Sequence, residues 1–584
     1  MTRLWNDPAS FADDVVDGFV RANGRWVRRV PGGVSRSTRS AEPEVAVVIG
    51  GGSGHYPAFG GLVGPGLAHG AAMGQLFASP SAQQVESVVR ASEQGRGVLL
   101  TFGNYAGDVL HFGAAQEAVR KDGIDCRTVL VTDDIFSAPP AEQHRRRGIA
   151  GDLTVFKTAG AAAAAGYGVD DVERVARAAN ARTRTMGVAF SGCTLPGAET
   201  PLFTVPEGRM AIGLGIHGEP GIELTDIPSA AGLAELFIRY LLGAAELPDG
   251  ITARGARVVP VLNGLGSVKS EELFVVFSRV AELLEDAGVE LVDPQVGEFC
   301  TSFDMAGVSL TLFWLDEELE RLWLAPADTP AFRTGAVDVA SLQPVTDDGG
   351  GARPAEDDAL PESSEDSRRA AARIAAALEA MRLAIDDEAA ELGRIDAIAG
   401  DGDHGIGMQR GTAAAAAVAS SLAARGAGAQ TLLERAGDAW SNRGGGTSGA
   451  IWGLILRTLG EHLGDAEHAT GALVAAGLAA AKDAVTAYGK ASVGDKTLVD
   501  SLVPFADTLA ARVAAGDGLA DAWREAAEAA TAAAEATANL LPGMGRARTH
   551  GEKSLGVPDP GAVSLALIAR RVHAVLDTAA AATA

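Results

Sequence analysis

Beyond residue 367 strand signals nearly disappear, and this break limits the fold more than any other feature. Stretches such as RRAAARIAAALEAMRLAI (368–385) and DAWREAAEAATAAAEATANLL (521–541) are dominated by alanine. Their apolar positions recur at three and four, the period of a helix face, and small alanine faces let helices pack closely. Residues 368–584 are therefore expected to form an all-helical domain. The first 342 residues read differently. VAVVI (45–49), GVLLTF (97–102), RTVLV (127–131) and RVVPVL (257–262) have the character of buried strands, with helical stretches at 81–94 and 169–181. That alternation predicts an α/β domain on a largely parallel sheet, with a second lobe starting near residue 183. Residues 343–367, QPVTDDGGGARPAEDDALPESSEDS, have no apolar period and read as an interdomain linker.

A chain of 584 residues that is 47% hydrophobic can build two or more cored domains. Its net charge of −26 argues against a nucleic-acid or membrane-surface binder, since phosphate backbones would be repelled. Small anionic ligands stay open. Cys126, Cys193 and Cys300 form no CxxC pair, which fits a reducing cytoplasm rather than a disulfide or zinc framework. Asp7, Asp13 and Asp14 stand where a signal peptide needs an apolar core, and no apolar run reaches the ~20 residues of a membrane span. The expectation is a soluble cytoplasmic protein.

In the helical half the glycines gather in a few loops. The segment RIDAIAGDGDHGIG (394–407) places Asp396, Asp401 and Asp403 within eight residues, among glycines that make a helix unlikely there. Such a loop can aim three carboxylates at one point, where a cation such as Mg²⁺ would relieve their repulsion; a solvated acidic turn is the plainer reading. RGGGTSGA (443–450) sets glycines and the hydroxyls of Thr447 and Ser448 ahead of a helix expected near Ala450, either an anion cradle or a simple turn. GDKT (494–497), GRAR (545–548) and PDPGA (558–562) are further departures from a plain bundle. Lys496 and Arg546 are cations for a phosphate or solvated surface charges, and PDPGA reads as a rigid turn entering a helix. No Walker A sequence is present, because GLGSVKS (264–270) lacks the glycine before lysine.

In the α/β half, VAVVI runs into GGGSGHYP (50–57), GVLLTF into GNYAGD (103–108), and MAIGLG (210–215) into IHGEPG (216–221). His55, Asp108 and His217 thus each fall in a glycine loop just past a strand, where α/β sheets bind ligands. Any one is an ordinary loop residue; three at equivalent strand ends imply a site.

Together with TMGVAFSGCTLPG (185–197), TSFDMAGVSLTL (301–312), GGTSGA, GDKT and PDPGA, these motifs resemble the single-chain, ATP-dependent dihydroxyacetone kinases along nearly the full length. The resemblance implies a ketose-binding domain followed by an antiparallel eight-helix barrel that binds Mg·ATP. It implies that His217 holds the ketose covalently as a hemiaminal. His55 and Asp108 would bind the hydroxyls, with Asp108 the better general base, and Gly52, Ser53 and Gly54 would line the substrate. Asp396, Asp401 and Asp403 would hold Mg²⁺. His404, Gly405, Ile406, Gly407, Thr447, Ser448, Gly489, Leu498, Arg546, Asp559 and Gly561 would enclose the nucleotide. It further implies a homodimer.

Two segments depart from the family pattern: GHEP is GHYP with Tyr56 for the glutamate, and KNYTGD is GNYAGD with Gly103 for the lysine. Losing a lysine and a glutamate beside the substrate loop predicts a ketose other than dihydroxyacetone, with four-carbon erythrulose leading. Other readings are a phosphoenolpyruvate-linked phosphotransferase, an FAD-splitting cyclase side activity and a non-catalytic ketose sensor. The fusion of both halves favours free ATP, and the intact triad of acids argues against a sensor.

Overall fold

The computed structural model describes residues 4–243, 246–345, 360–400, 402–544, 551 and 553–581. Contacts divide the chain into two compact units, Met1–Arg353 and Pro354–Ala584.

The first unit contains two large sheets. One runs in the order Val27–Val30, Gly33–Arg36, Gly70–Leu76, Ala46–Ser53, Val98–Gly103 and Cys126–Val131, and its last four strands are parallel. Every residue of the central strand Ala46–Ser53 is buried, as a strand covered on both faces requires. Its side chains alternate between cores. Val47 and Ile49 share one with the helix Asp152–Ala164 and with Val259, Val261 and Phe313 of the other sheet. Ala46 and Val48 face the helices Ala82–Ser92 and Ala106–Lys121. Each buried Val or Ile contributes about 1.5–3 kcal/mol, so this alternation holds the strand in register. The helix Ala82–Ser92 starts where Ser81 and Gln84 close a capping box.

The second sheet begins at Thr183 and corrects the expectation of largely parallel pairing. Thr183–Ala189, Gly307–Trp314, Arg257–Gly264, Arg209–Ile212 and Glu223–Asp226 pair antiparallel with their neighbours; Arg257–Gly264 is parallel only to the short Glu290–Leu291 and Gln295–Gly297. The connection from Ile212 to Glu223 is too short for a parallel crossover, so the chain must turn straight back. His217 rides on that turn.

The second unit is helical: Glu365–Ala399, His404–Ala424, Ala429–Gly444, Gly446–Leu463, Gly471–Gly489, Val499–Ala514, Leu519–Ala536 and Pro560–Ala581. Each helix packs on its chain neighbour, and the last returns to the first. Two expectations change here. The glycine segment 400–407 breaks the helix only in part: one helix ends at Ala399, but another begins at His404 and runs through Gly405, Gly407 and Gly411. These glycines serve packing. A Cβ on Gly405 would lie 2.1 Å from Ala389 O, and one on Gly411 would lie 2.3 Å from the Trp440 ring. The helix expected near Ala450 starts at Gly446, which puts Thr447 and Ser448 in its first turn. The segment read as a linker is ordered at both ends, since Leu342–Pro344 pairs with Thr38–Ser40 and Ser364 caps the helix from Glu365. Residues 346–359 of it lie outside the described residues. Among the described residues no helix is long and apolar enough to cross a membrane.

Candidate active site

His55 follows the central strand of the first sheet, and His217 sits on the hairpin turn of the second. Both are buried, and their Nε2 atoms approach to 3.1 Å. The two loops are joined through the segment before Gly307–Trp314. His55 Nδ1 lies 2.7 Å from Thr301 O, and the Ser302 hydroxyl donates to Ile216 O at 2.6 Å. A carbonyl only accepts, so His55 Nδ1 carries a proton toward Thr301 O and Nε2 faces His217. Asn263, fully buried, holds this segment from below. Its amide donates to Cys300 O and Ser309 Oγ, and its Oδ1 accepts from Phe299 N and Cys300 N.

Aromatic rings wall the pair. Phe77 stacks on His55 at 5.0 Å and meets His217 edge-on at 5.4 Å; Tyr105 packs edge-on against His217 at 4.7 Å. Phe77 has φ of 55°, a backbone conformation costing a non-glycine residue about 1–3 kcal/mol, and its N–H donates to Ser53 O. Gly52 and Gly54 must be glycine to pass this residue, since a Cβ on either would come within 2.8 Å of Phe77 or Ala78 atoms.

Behind His217, Glu219 accepts from the His217 N–H at 3.0 Å through Oε2, while its Oε1 lies 3.4 Å from His217 Nδ1. Arg147 Nη1 stands 3.5 Å from Glu219 Oε2, and the same guanidinium bonds Asp134. Asp108 is buried, but in the first turn of the helix Ala106–Lys121 and not in the loop before it. The neighbouring Asp152 begins its own helix, and its Oδ1 accepts no hydrogen bond among the described residues. Burial, then the charges of Asp133 and Asp108, hold the Asp152 carboxyl well above the usual carboxylate range. Ser53 is placed beside His55, but its hydroxyl donates to Gly74 O. Tyr56 is half exposed, so the tyrosine in place of the family's glutamate lies at the rim.

In the helical unit, Asp396 lies in the last turn of the helix Glu365–Ala399 and accepts from His404 N at 2.9 Å, while Asp403 occupies the N-cap position of the helix that follows. Burial, then repulsion from Asp396, pushes Asp403 up to about 7. Asp559 precedes the helix Pro560–Ala581 and accepts from Ala562 N. Burial, with the charges of Asp396 and Asp500 adding to it, also raises Asp559 to about 7. Acids that raise one another in this way form a set that a cation would relieve. Asp401 and Arg546 lie outside the described residues, and among the described residues no three ligands form a ready metal cage.

His404 ties three helix starts together. Its Nε2 lies 3.0 Å from Ser564 Oγ and its Nδ1 3.3 Å from Ser448 Oγ, and burial lowers its pKa, favouring the neutral ring. The starts of His404–Ala424, Gly446–Leu463 and Pro560–Ala581 therefore converge, with Ile406 and Thr447 exposed beside them. Gly561 fits under Leu498, where a Cβ would approach to 3.3 Å, and Gly489 ends its helix in open space. Lys496, read from sequence as a phosphate cation or a solvated charge, is buried and donates to Ser554 O and Leu540 O.

The sequence reading missed Glu219, Arg147, Asn263 and Asp500. Glu219 had a signal, standing two residues from His217 in a quoted motif. Asp500 stands three residues past the quoted GDKT motif and accepts from its Gly494 and Thr497 N–H groups, whereas Arg147 and Asn263 are brought in from distant segments and nothing local marks them.

The Dak1 domain model matches residues 17–331 and the DAK2 domain model residues 398–574. The chain is 59% identical over 579 residues to an L-erythrulose kinase of Pectobacterium atrosepticum, covering 99% of this chain and 97% of the relative. It is 52% identical to a D-erythrulose kinase of Mycolicibacterium smegmatis, over 98% of each chain. Among solved structures it is similar to the dihydroxyacetone kinase of C. freundii in complex with AMP-PNP and Mg²⁺. The identity there is 29%, the TM-score 0.52, and the match covers 98% of this chain and 99% of that one.

Proposed function

The chain belongs to the dihydroxyacetone kinase family, with Dak1 and DAK2 domains in one polypeptide, and from that premise we propose how it works as an ATP-dependent ketose kinase and which ketose it takes. The substrate is a four-carbon ketose, erythrulose, held on His217 as a hemiaminal. The observation that carries the capture reading is the approach of two buried imidazoles from separate sheets, Nε2 to Nε2, at 3.1 Å. His217 Nε2 is placed to bond the carbonyl carbon, and His55 stands where it can give a proton to the carbonyl oxygen. Asp108 takes the proton of the attacking terminal hydroxyl. Gly52, Ser53 and Gly54 line the ketose, with Ser53 contributing backbone groups.

The converging helix starts at His404, Gly446 and Pro560 support a phosphate site, since each brings the positive end of its dipole there. There Gly405, Ile406, Gly407, Thr447 and Ser448 cradle phosphates, and Gly489, Leu498, Arg546, Asp559 and Gly561 enclose the rest of ATP. Bound Mg²⁺ would be held by Asp396, Asp401 and Asp403 and would offset charge on the transferring phosphoryl group. Helix order with the last helix back on the first supports the antiparallel eight-helix barrel. A homodimer in the cytoplasm completes the reading, which light scattering on the purified chain would test.

Gly103 supports the erythrulose preference. A Cβ there would come within 3.1 Å of the Tyr105 ring and 3.2 Å of Gly148 O, so a longer residue would press on the ring that walls His217. The test is ADP release on dihydroxyacetone, D-erythrulose and L-erythrulose without any phosphocarrier protein. One ADP per erythrulose phosphorylated, with erythrulose preferred, is expected; a clear preference for dihydroxyacetone would sink the four-carbon reading.

A further inference from the structure

We infer that Glu219 is a positioning residue for His217: its carboxylate fixes the ring tautomer that leaves Nε2 free for the ketose carbonyl, and it balances the charge the ring gains as that bond forms. The inference rests on the ketose-kinase reading above.

The argument starts from donors and acceptors. An ionised carboxylate only accepts, so Glu219 Oε1, 3.4 Å from His217 Nδ1, keeps the proton on Nδ1 and the lone pair on Nε2. His55 is held in the same sense by Thr301 O, with its Nδ1 protonated. Two bare Nε2 atoms at 3.1 Å would repel, so the pair shares one proton. As the carbonyl enters, that proton resides on His55. The His217 Nε2 lone pair forms the N–C bond, the carbonyl π electrons move to oxygen, and oxygen takes the proton from His55. The His217 ring is left cationic, with Nδ1–H toward Glu219. Without a buried anion there, that cation would stand uncompensated.

Glu219 is built in as an anion. It is buried, Arg147 Nη1 lies 3.5 Å from its Oε2, and its Oε2 also accepts from the His217 N–H. The backbone makes room for it at Gly215. A Cβ there would lie 2.1 Å from Glu219 Oε2 and 2.6 Å from Arg147 Nη1. The φ of Gly215 is not in the left-handed region, so alanine is excluded there by the carboxylate and not by backbone conformation. Among the groups facing His217 are His55 from the first sheet's loop, Glu219 on its own turn with Arg147 behind, and the Phe77 and Tyr105 rings.

The test is steady-state kinetics of the full chain with erythrulose and MgATP from pH 6 to 9, for wild type, Glu219→Gln and Gly215→Ala. An amide can present either a donor or an acceptor to Nδ1 and carries no charge. Glu219→Gln should therefore lower kcat/KM for the ketose about 100-fold while KM for MgATP changes by less than about twofold. Its alkaline limb should move to lower pH, because the shared proton has lost its counter-charge. Gly215→Ala should act in the same direction by displacing the carboxylate. An unchanged ketose kcat/KM in Glu219→Gln overturns the inference. So does a loss that falls equally on KM for MgATP and melting temperature with the pH profile unmoved, which marks a purely structural role. A wild type that turns over no ketose sinks the kinase reading itself.

Discussion

Asn263→Ala should damage the ketose site from below without touching any group in it. Asn263 makes four hydrogen bonds from a fully buried position, two donated to Cys300 O and Ser309 Oγ and two accepted from Phe299 N and Cys300 N. Each such bond contributes about 0.5–1.5 kcal/mol net, and each buried N–H left unpaired costs about 1–3 kcal/mol more. Partial relaxation and overlap between these terms leave an expected loss of about 4 kcal/mol from the first unit. For a unit of this size that is a fall of about 5–6 °C in its melting transition. The helical unit contains none of these contacts, so calorimetry should show one transition moved and the other in place. The freed Thr301 and Ser302 carry the ties to His55 and Ile216, and a displacement of about 1 Å there should cost about 100-fold in kcat/KM for the ketose. A shift below about 1 kcal/mol with ketose kinetics intact would refute the role given to this segment.

Other expectations concern the helical unit and the rim of the ketose site. Asp403 and Asp559 are raised to about 7 in the folded chain, so the metal-free unit binds more protons folded than unfolded and loses stability as pH rises from about 4 through 7. Mg²⁺ should therefore raise the melting temperature strongly at pH 8 and little at pH 5.5; equal shifts would contradict the assignment. His404→Ala removes the bridge between Ser448 and Ser564 and should raise KM for MgATP about tenfold, leaving ketose capture unchanged. Gly103→Lys should press on Tyr105 and lower erythrulose turnover more than dihydroxyacetone turnover, which the same coupled assay reads.

Much of this was legible in the sequence, and what was not has physical reasons. Alanine-rich helical periods and β-branched runs located the two units, since burial pattern alone marks them. Sheet direction was not legible, because a strand's own residues do not record whether the chain turns back, as it does between Ile212 and Glu223. Gly405 and Gly407 misled as helix breakers, since Gly405, like Gly411 beyond it, is small for packing, against Ala389 and Trp440 respectively. His55, His217 and Asp108 announced themselves in glycine motifs. Asn263 and Arg147 did not, because their value comes from segments far away in the chain.

The central claim is covalent capture of a ketose on His217 by a kinase that uses MgATP. Intact-mass measurement under denaturing conditions, after incubation with erythrulose, tests it directly. Wild type should gain the mass of one whole ketose with no loss of water, mapped to His217. His217→Ala should gain none while still binding MgATP. Full ketose turnover by His217→Ala at low erythrulose, with no adduct on wild type, would contradict it.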